Sequence, residues 1–285
     1  MYFLEGFEKA LKTIYLIVYP YLELESTREK KNLTCKALKK AYLSYLGNKH
    51  KGILFPSTLS VEFLINDPRI DVLKHIFKLP DHDKESVVYY ESTWIKELLA
   101  HAYNYLRNFD QSLFTLFELS TSIVFTFVSH VPGSETVSAV PSIIHINPGK
   151  NWSNSDVIEV FIHEMTHTLL FLDEQRYGHY KSLDAINHEK YYALTGILNK
   201  KSPVYLVLHS IIVASELLSL RNTLRPIAPK FHPNTVTIIA NAKRSFDSLC
   251  NVTSIDEILL PRALELLSKA YQNIINHEKK LFIDQ

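Results

Sequence analysis

Glycine is scarce in this chain: seven residues in 285, none arranged as GxGxxG, GxxxxGK[ST] or GxSxG. Nucleotide cradles and the serine-hydrolase elbow need glycines there for tight turns and close backbone approach, so both chemistries lose their footing. Cysteine is scarcer still. Cys35 and Cys250 stand far apart with no CxxC, which excludes a disulfide framework and a thiolate metal knuckle and leaves two buried thiols in a reducing compartment as the expectation. An excess of one charge is missing too, with 31 Lys+Arg against 30 Asp+Glu. No net field is left to hold a nucleic acid or an anionic membrane. The densest charged run, "STREKKNL" near residue 30, mixes signs and reads as a solvated helix face. The opening segment carries Glu5 and Glu8 where an export signal needs basic residues, and Pro20 breaks its apolar run. The longest apolar run, Pro203 to Leu220, contains His209 and Glu216 and reads as a core helix rather than a membrane span. These absences together lead us to expect a cytoplasmic globular protein with no nucleic-acid and no membrane partner.

What is present is a globular composition, 46% hydrophobic and 21% charged, enough to bury a sizeable core. Helical spacing dominates the first third, in "YFLEGFEKALKTIYLIVY" and "CKALKKAYLSYLG". "GILFP" and "TLSVEFLI" read as short strands, and "ESVVYYES" fits either strand or helix. A long amphipathic helix fits "STWIKELLAHAYNYLRNFDQSLFTLFELS", with a break near Asp110. Three β-rich runs follow, "SIVFTFVSHV", "ETVSAV" and "SIIHIN", read as a small antiparallel sheet. Ser153 with Asp156 forms a capping box and Gly178 a stop, which predicts a helix over 154–177. Further helices are predicted from Pro203 to before Pro226, over 234–249 and over 255–281. The fold class is therefore α+β and predominantly α. The reading is an α-rich N-terminal region over 1–118, then a small sheet and helical metal-site region over 119–285, or one continuous domain, since no Gly/Ser linker separates them.

The chemistry concentrates in "FIHEMTHTLL", residues 161–170. On a helix, residues four apart lie one above the other, so His163 and His167 can direct imidazole nitrogens at one metal ion. Glu164 projects beside them, the spacing of a carboxylate that works next to the ion without binding it. A third ligand is needed. The metzincin pattern would place Gly at 170 and His at 173, where this chain has Leu170 and Asp173. Asp173 points away on an unbroken helix, and Glu174 returns to the His167 face only two turns along, roughly 10 Å by helical rise, where it supports the site from outside. "VYLVLHSIIVASELLSLRN" offers His209 and Glu216 on one face of a buried helix, too far apart to bind the same ion together; His209 is the better third ligand and Glu216 its support. His145 in "SIIHIN" precedes the metal helix closely enough to line the site. Arg221 and Arg225 supply cations for an anionic partner. Two chemistries fit such a site: Zn(II)-dependent peptide hydrolysis with Glu164 as base, and Fe(II)-dependent oxidation with a 2-oxo acid. A non-catalytic metal or peptide-binding protein is the third reading.

"VIEVFIHEMTHTLLFLDE", followed about 40 residues later by "SPVYLVLHSIIVASELLSLRN", resembles the HExxH-type proteins encoded with ribosomally made, post-translationally modified peptides. The resemblance spans residues 140–225. It implies an oxidoreductase of the 2-oxoglutarate-dependent dioxygenase type, a peptide β-hydroxylase acting on a precursor peptide. By the same likeness His163, His167 and His209 would bind Fe(II), Arg221 would take the distal carboxylate of 2-oxoglutarate, and Glu164 would orient a ligand or a substrate amide.

Overall fold

The computed structural model of the chain describes every residue except 23–33, 57, 80–88, 127–131, 225–228, 253–254 and 284–285. The "STREKKNL" run, Arg225 and the first half of "ESVVYYES" lie outside the described residues. The protein is α+β and predominantly helical. Its internal contacts gather into two compact units, Phe7–Leu172 and Met1–Gly6 with Asp173–Gln285. Strands on either side of residues 118 and 119, Glu62–Ile65 and Ile123–Thr126, pair with each other.

After one helical turn, α1 (Tyr2–Glu5), which belongs with the C-terminal unit, the first unit opens on α2 (Phe7–Val18) and α3 (Cys35–Lys49). β1 (Glu62–Ile65) leads through α4 (Arg69–Phe77), α5 (Tyr89–Phe109) and α6 (Gln111–Ser120) to β2 (Ile123–Thr126). The expected break at Asp110 is an N-cap: its carboxylate accepts from the Ser112 and Leu113 N–H groups at 2.9 and 3.0 Å. β3 (Gly133–Glu135), β4 (Ile143–Asn147) and α7 (Asn154–Tyr177) complete the run.

The sheet corrects the antiparallel expectation. Its order is β1-β2-β4-β3, with β1, β2 and β4 mutually parallel and only β3 antiparallel to β4. Among the described residues three helices connect β1 to β2, which is the crossover a parallel pair requires. β2 and β4 are buried at every residue, as strands covered on both faces are. α7 is also buried nearly all round, through Val157, Val160, Phe161, Ile162, Met165 and Leu169. Its Phe161 ring packs 5.0 Å from that of Phe117 on α6. The capping box is as expected: Asp156 accepts from the Ser153 N–H and hydroxyl, both at 2.7 Å, which fixes where the helix begins. Gly178, at φ +72, ends it.

The second unit contains α8 (Leu183–Ile186), a two-stranded pair of β5 (Ala193–Leu194) and β6 (Lys201–Ser202), α9 (Val204–Thr223), α10 (Thr235–Cys250), α11 (Ile255–Ile258) and α12 (Pro261–Ile283). The helix predicted over 255–281 is divided at Pro261, which takes the first position of α12 where a missing N–H costs nothing. α1, α10 and α12 pack around α9. Among the described residues α9 is the one helix long and apolar enough to cross a membrane, and 72% of that window is buried inside the protein, as in a core helix. Cys35 and Cys250 are free and exposed, which corrects the expectation of buried thiols. Each lies at a helix end, at the first residue of α3 and the last of α10.

Candidate metal centre

In the Phe7–Leu172 unit, α7 brings the Nε2 atoms of His163 and His167 to 3.2 Å from each other. Two nitrogens bound at about 2.0–2.1 Å to one tetrahedral ion stand ~3.3–3.4 Å apart, and at adjacent octahedral positions ~3.0 Å. The observed spacing falls between these values, so the pair fits one ion of either geometry. Burial pushes His167 down to about 4, which leaves its imidazole neutral and able to ligate at physiological pH. Among the described residues of this unit, no third carboxylate, imidazole or thiol completes a close-set cluster with the two histidines.

Glu164 faces the same place. Its Oε1 lies 3.9 Å from His163 Nε2 and accepts a hydrogen bond from the Ser134 hydroxyl at 2.6 Å. The carboxyl is fully enclosed, and Oε2 has no hydrogen-bond partner among the described residues. Burial, reinforced by the charge of Glu135, outweighs the Ser134 and Thr136 hydroxyls and pushes the Glu164 carboxyl up to about 7. It can therefore hold or release a proton near neutral pH. Ser134 comes from β3, an edge strand, so the sheet's last strand touches the Glu164 carboxyl of α7. His145 lies on β4, paired with Glu135 in register and 5.1 Å from the Phe125 ring, and burial pushes it down to about 4.

The other predicted residues belong to the second unit. His209 is buried on α9, and one of its ring nitrogens lies within 4.8 Å of ligand atoms of both Glu174 and His179. Glu216, also on α9, accepts from the Phe3 and Leu4 N–H groups at 3.0 and 2.9 Å and ion-pairs with the Met1 amine. Its two oxygens thus anchor the start of α1. Arg221 donates from Nη1 to the Pro233 carbonyl at 2.8 Å and to the Thr235 hydroxyl at 3.4 Å, tying the end of α9 to the start of α10.

Sequence reasoning missed His179 and gave Asp173 no role. The two side chains meet at 2.8 Å, and Arg262 grips the same carboxylate at 2.7 and 2.9 Å. The signal was available in "DEQRYGHY": a glycine stop folds the chain back on itself and can return the next residue to the face of the last helical turn. The chain matches no protein-family model, and no curated protein matches it in sequence.

Proposed function

We propose that the chain is an Fe(II)/2-oxoglutarate-dependent oxygenase that hydroxylates a side chain, at the β-carbon, of a ribosomally made precursor peptide. The observation that carries the metal site is the 3.2 Å approach of His163 and His167 Nε2. Two imidazoles with an enclosed carboxyl beside them suit a first-row ion that keeps positions open for a bidentate 2-oxo acid. When bound, the iron would supply oxidative chemistry in which dioxygen, 2-oxoglutarate and a C–H bond give succinate, carbon dioxide and an alcohol.

The protein's own groups would position the peptide. Among the described residues β3 pairs only with β4, so its outer edge can take an extended strand through backbone hydrogen bonds. Such a strand would pass beside Ser134, which touches Glu164. A protonated Glu164 would donate a hydrogen bond to a peptide carbonyl there, and an ionised one would accept from an amide N–H. The peptide class is also what the likeness of the HExxH and "LHS" segments implies.

A second reading, zinc-dependent peptide hydrolysis, is favoured by one observation: Glu164 Oε1 stands 3.9 Å from His163 Nε2 with its carboxyl held near neutrality, as a general base would be. Glu164→Gln separates the readings. Retained metal with substantial succinate formation is the outcome expected of the oxygenase. Retained metal with peptide cleavage lost by ~100-fold or more would establish the hydrolase.

A further inference from the structure

The second unit carries a cluster that includes His209, the residue the HExxH likeness gives to the other histidine pair. Glu174, in the last turn of α7, His179, just past the Gly178 stop, and His209 on α9 each offer a ligand atom, all within 4.8 Å of one another. His179 and His209 are almost completely buried, at 0% and 1% exposure. Two imidazoles are not drawn into an apolar interior beside a half-buried carboxylate by packing alone, since each brings a desolvation cost that needs repayment.

The surroundings of His179 are those of a metal-bound imidazole. His179 Nε2 meets the buried Asp173 carboxylate at 2.8 Å, and Arg262 holds the same carboxylate at 2.7 and 2.9 Å. The other ring nitrogen, Nδ1, is buried and has no hydrogen-bond partner among the described residues. A carboxylate behind the ring and a second nitrogen left open are the setting of a ligating histidine. Arg262 is fixed in turn by Glu5 at 2.7 Å, so the carboxylate has little freedom to turn. The phenol of Tyr180 is a second buried group with no hydrogen-bond partner among the described residues.

We propose that Glu174, His179 and His209 form a metal site of their own, for a divalent first-row transition ion. Two imidazoles and one carboxylate suit Fe(II), Co(II) or Zn(II), and are too few and too nitrogen-rich for Ca(II) or Mg(II). Asp173 is its positioning residue, acting through His179. The assignment gives His209 to this site rather than to the His163 and His167 pair.

Cobalt titration of metal-stripped full-length protein, followed by visible absorption and by metal count, tests the proposal. Wild type should bind two ions per chain. The His163→Ala/His167→Ala double variant should still bind one, with the absorption of a nitrogen- and oxygen-ligated ion. In that background Glu174→Gln, which keeps side-chain volume, or His209→Ala should weaken binding at least tenfold. Asp173→Asn should weaken it by about 10- to 100-fold with the stoichiometry unchanged. Glu174→Gln alone, with its circular dichroism unchanged, should take wild type from two ions to one. The proposal is overturned if the double variant binds no cobalt, since His209 would then serve the other pair or no metal at all. It is equally overturned if the remaining affinity is indifferent to Glu174→Gln and His209→Ala.

Discussion

At the scale of single residues, the histidines of this chain are tuned apart by their surroundings. His145 is enclosed between Phe125 and Phe77, 5.1 and 6.5 Å away by ring centroids, and burial pushes it down to about 4. In the unfolded chain the same ring takes up a proton near its ordinary value of 6.5. Its neutral burial therefore stabilises fully above about pH 6.5, and that stability drains away as pH falls towards 4, where the folded ring also protonates. The loss is on the order of 3 kcal/mol. His145→Phe should flatten this part of the stability curve in urea melts between pH 6.5 and 4, and an unchanged slope would show that another group sets it. The HExxH histidines were legible because a four-residue spacing on a helix is a local fact. His179 was not, because its partner Asp173 meets it only after the Gly178 turn, and His209 comes from a helix 30 residues further on.

Among the elements, the helices were legible and the sheet was not. A capping box at Ser153 and Asp156, an N-cap at Asp110 and a stop at Gly178 are written in adjacent residues, and each lies where its chemistry requires. Strand direction is not written locally. β1 and β2 are separated by α4, α5 and α6, and no turn signal states that the chain returns parallel to itself. The buried amine of Lys39 on α3 is another long-range device. It donates to the Glu118 and Thr121 carbonyls, both at 2.6 Å, and so satisfies the C-terminal end of α6. Burial pushes it down to about 7 from an ordinary 10.5. Between these values the unfolded chain keeps a proton that the folded one gives up, so the Lys39 contribution makes stability rise with pH from about 7 to 10.5. Lys39→Met should abolish that rise. At pH 9 it should cost about 1–3 kcal/mol for the carbonyls left bare. A variant whose melts follow the wild-type pH dependence would contradict the role.

For the whole molecule, the sequence held no glycine pattern for a nucleotide cradle or a serine-hydrolase elbow and it offered the HExxH histidine pair, but the division into units was hidden. No linker marks it, because it falls within one continuous helix: α7 carries the histidine pair in the first unit and Asp173 with Glu174 in the second. A helix that contributes to two cores leaves no compositional trace. The central claim is that the histidine pair holds an iron that takes a 2-oxo acid. Its most direct test is an anaerobic titration of metal-stripped protein with Fe(II) and then 2-oxoglutarate, followed in the visible region. The account predicts a metal-to-ligand charge-transfer band that is absent in His163→Ala and in His167→Ala. Iron binding without that band would mean that 2-oxoglutarate does not chelate the metal, and would contradict the oxygenase reading in favour of zinc-dependent hydrolysis.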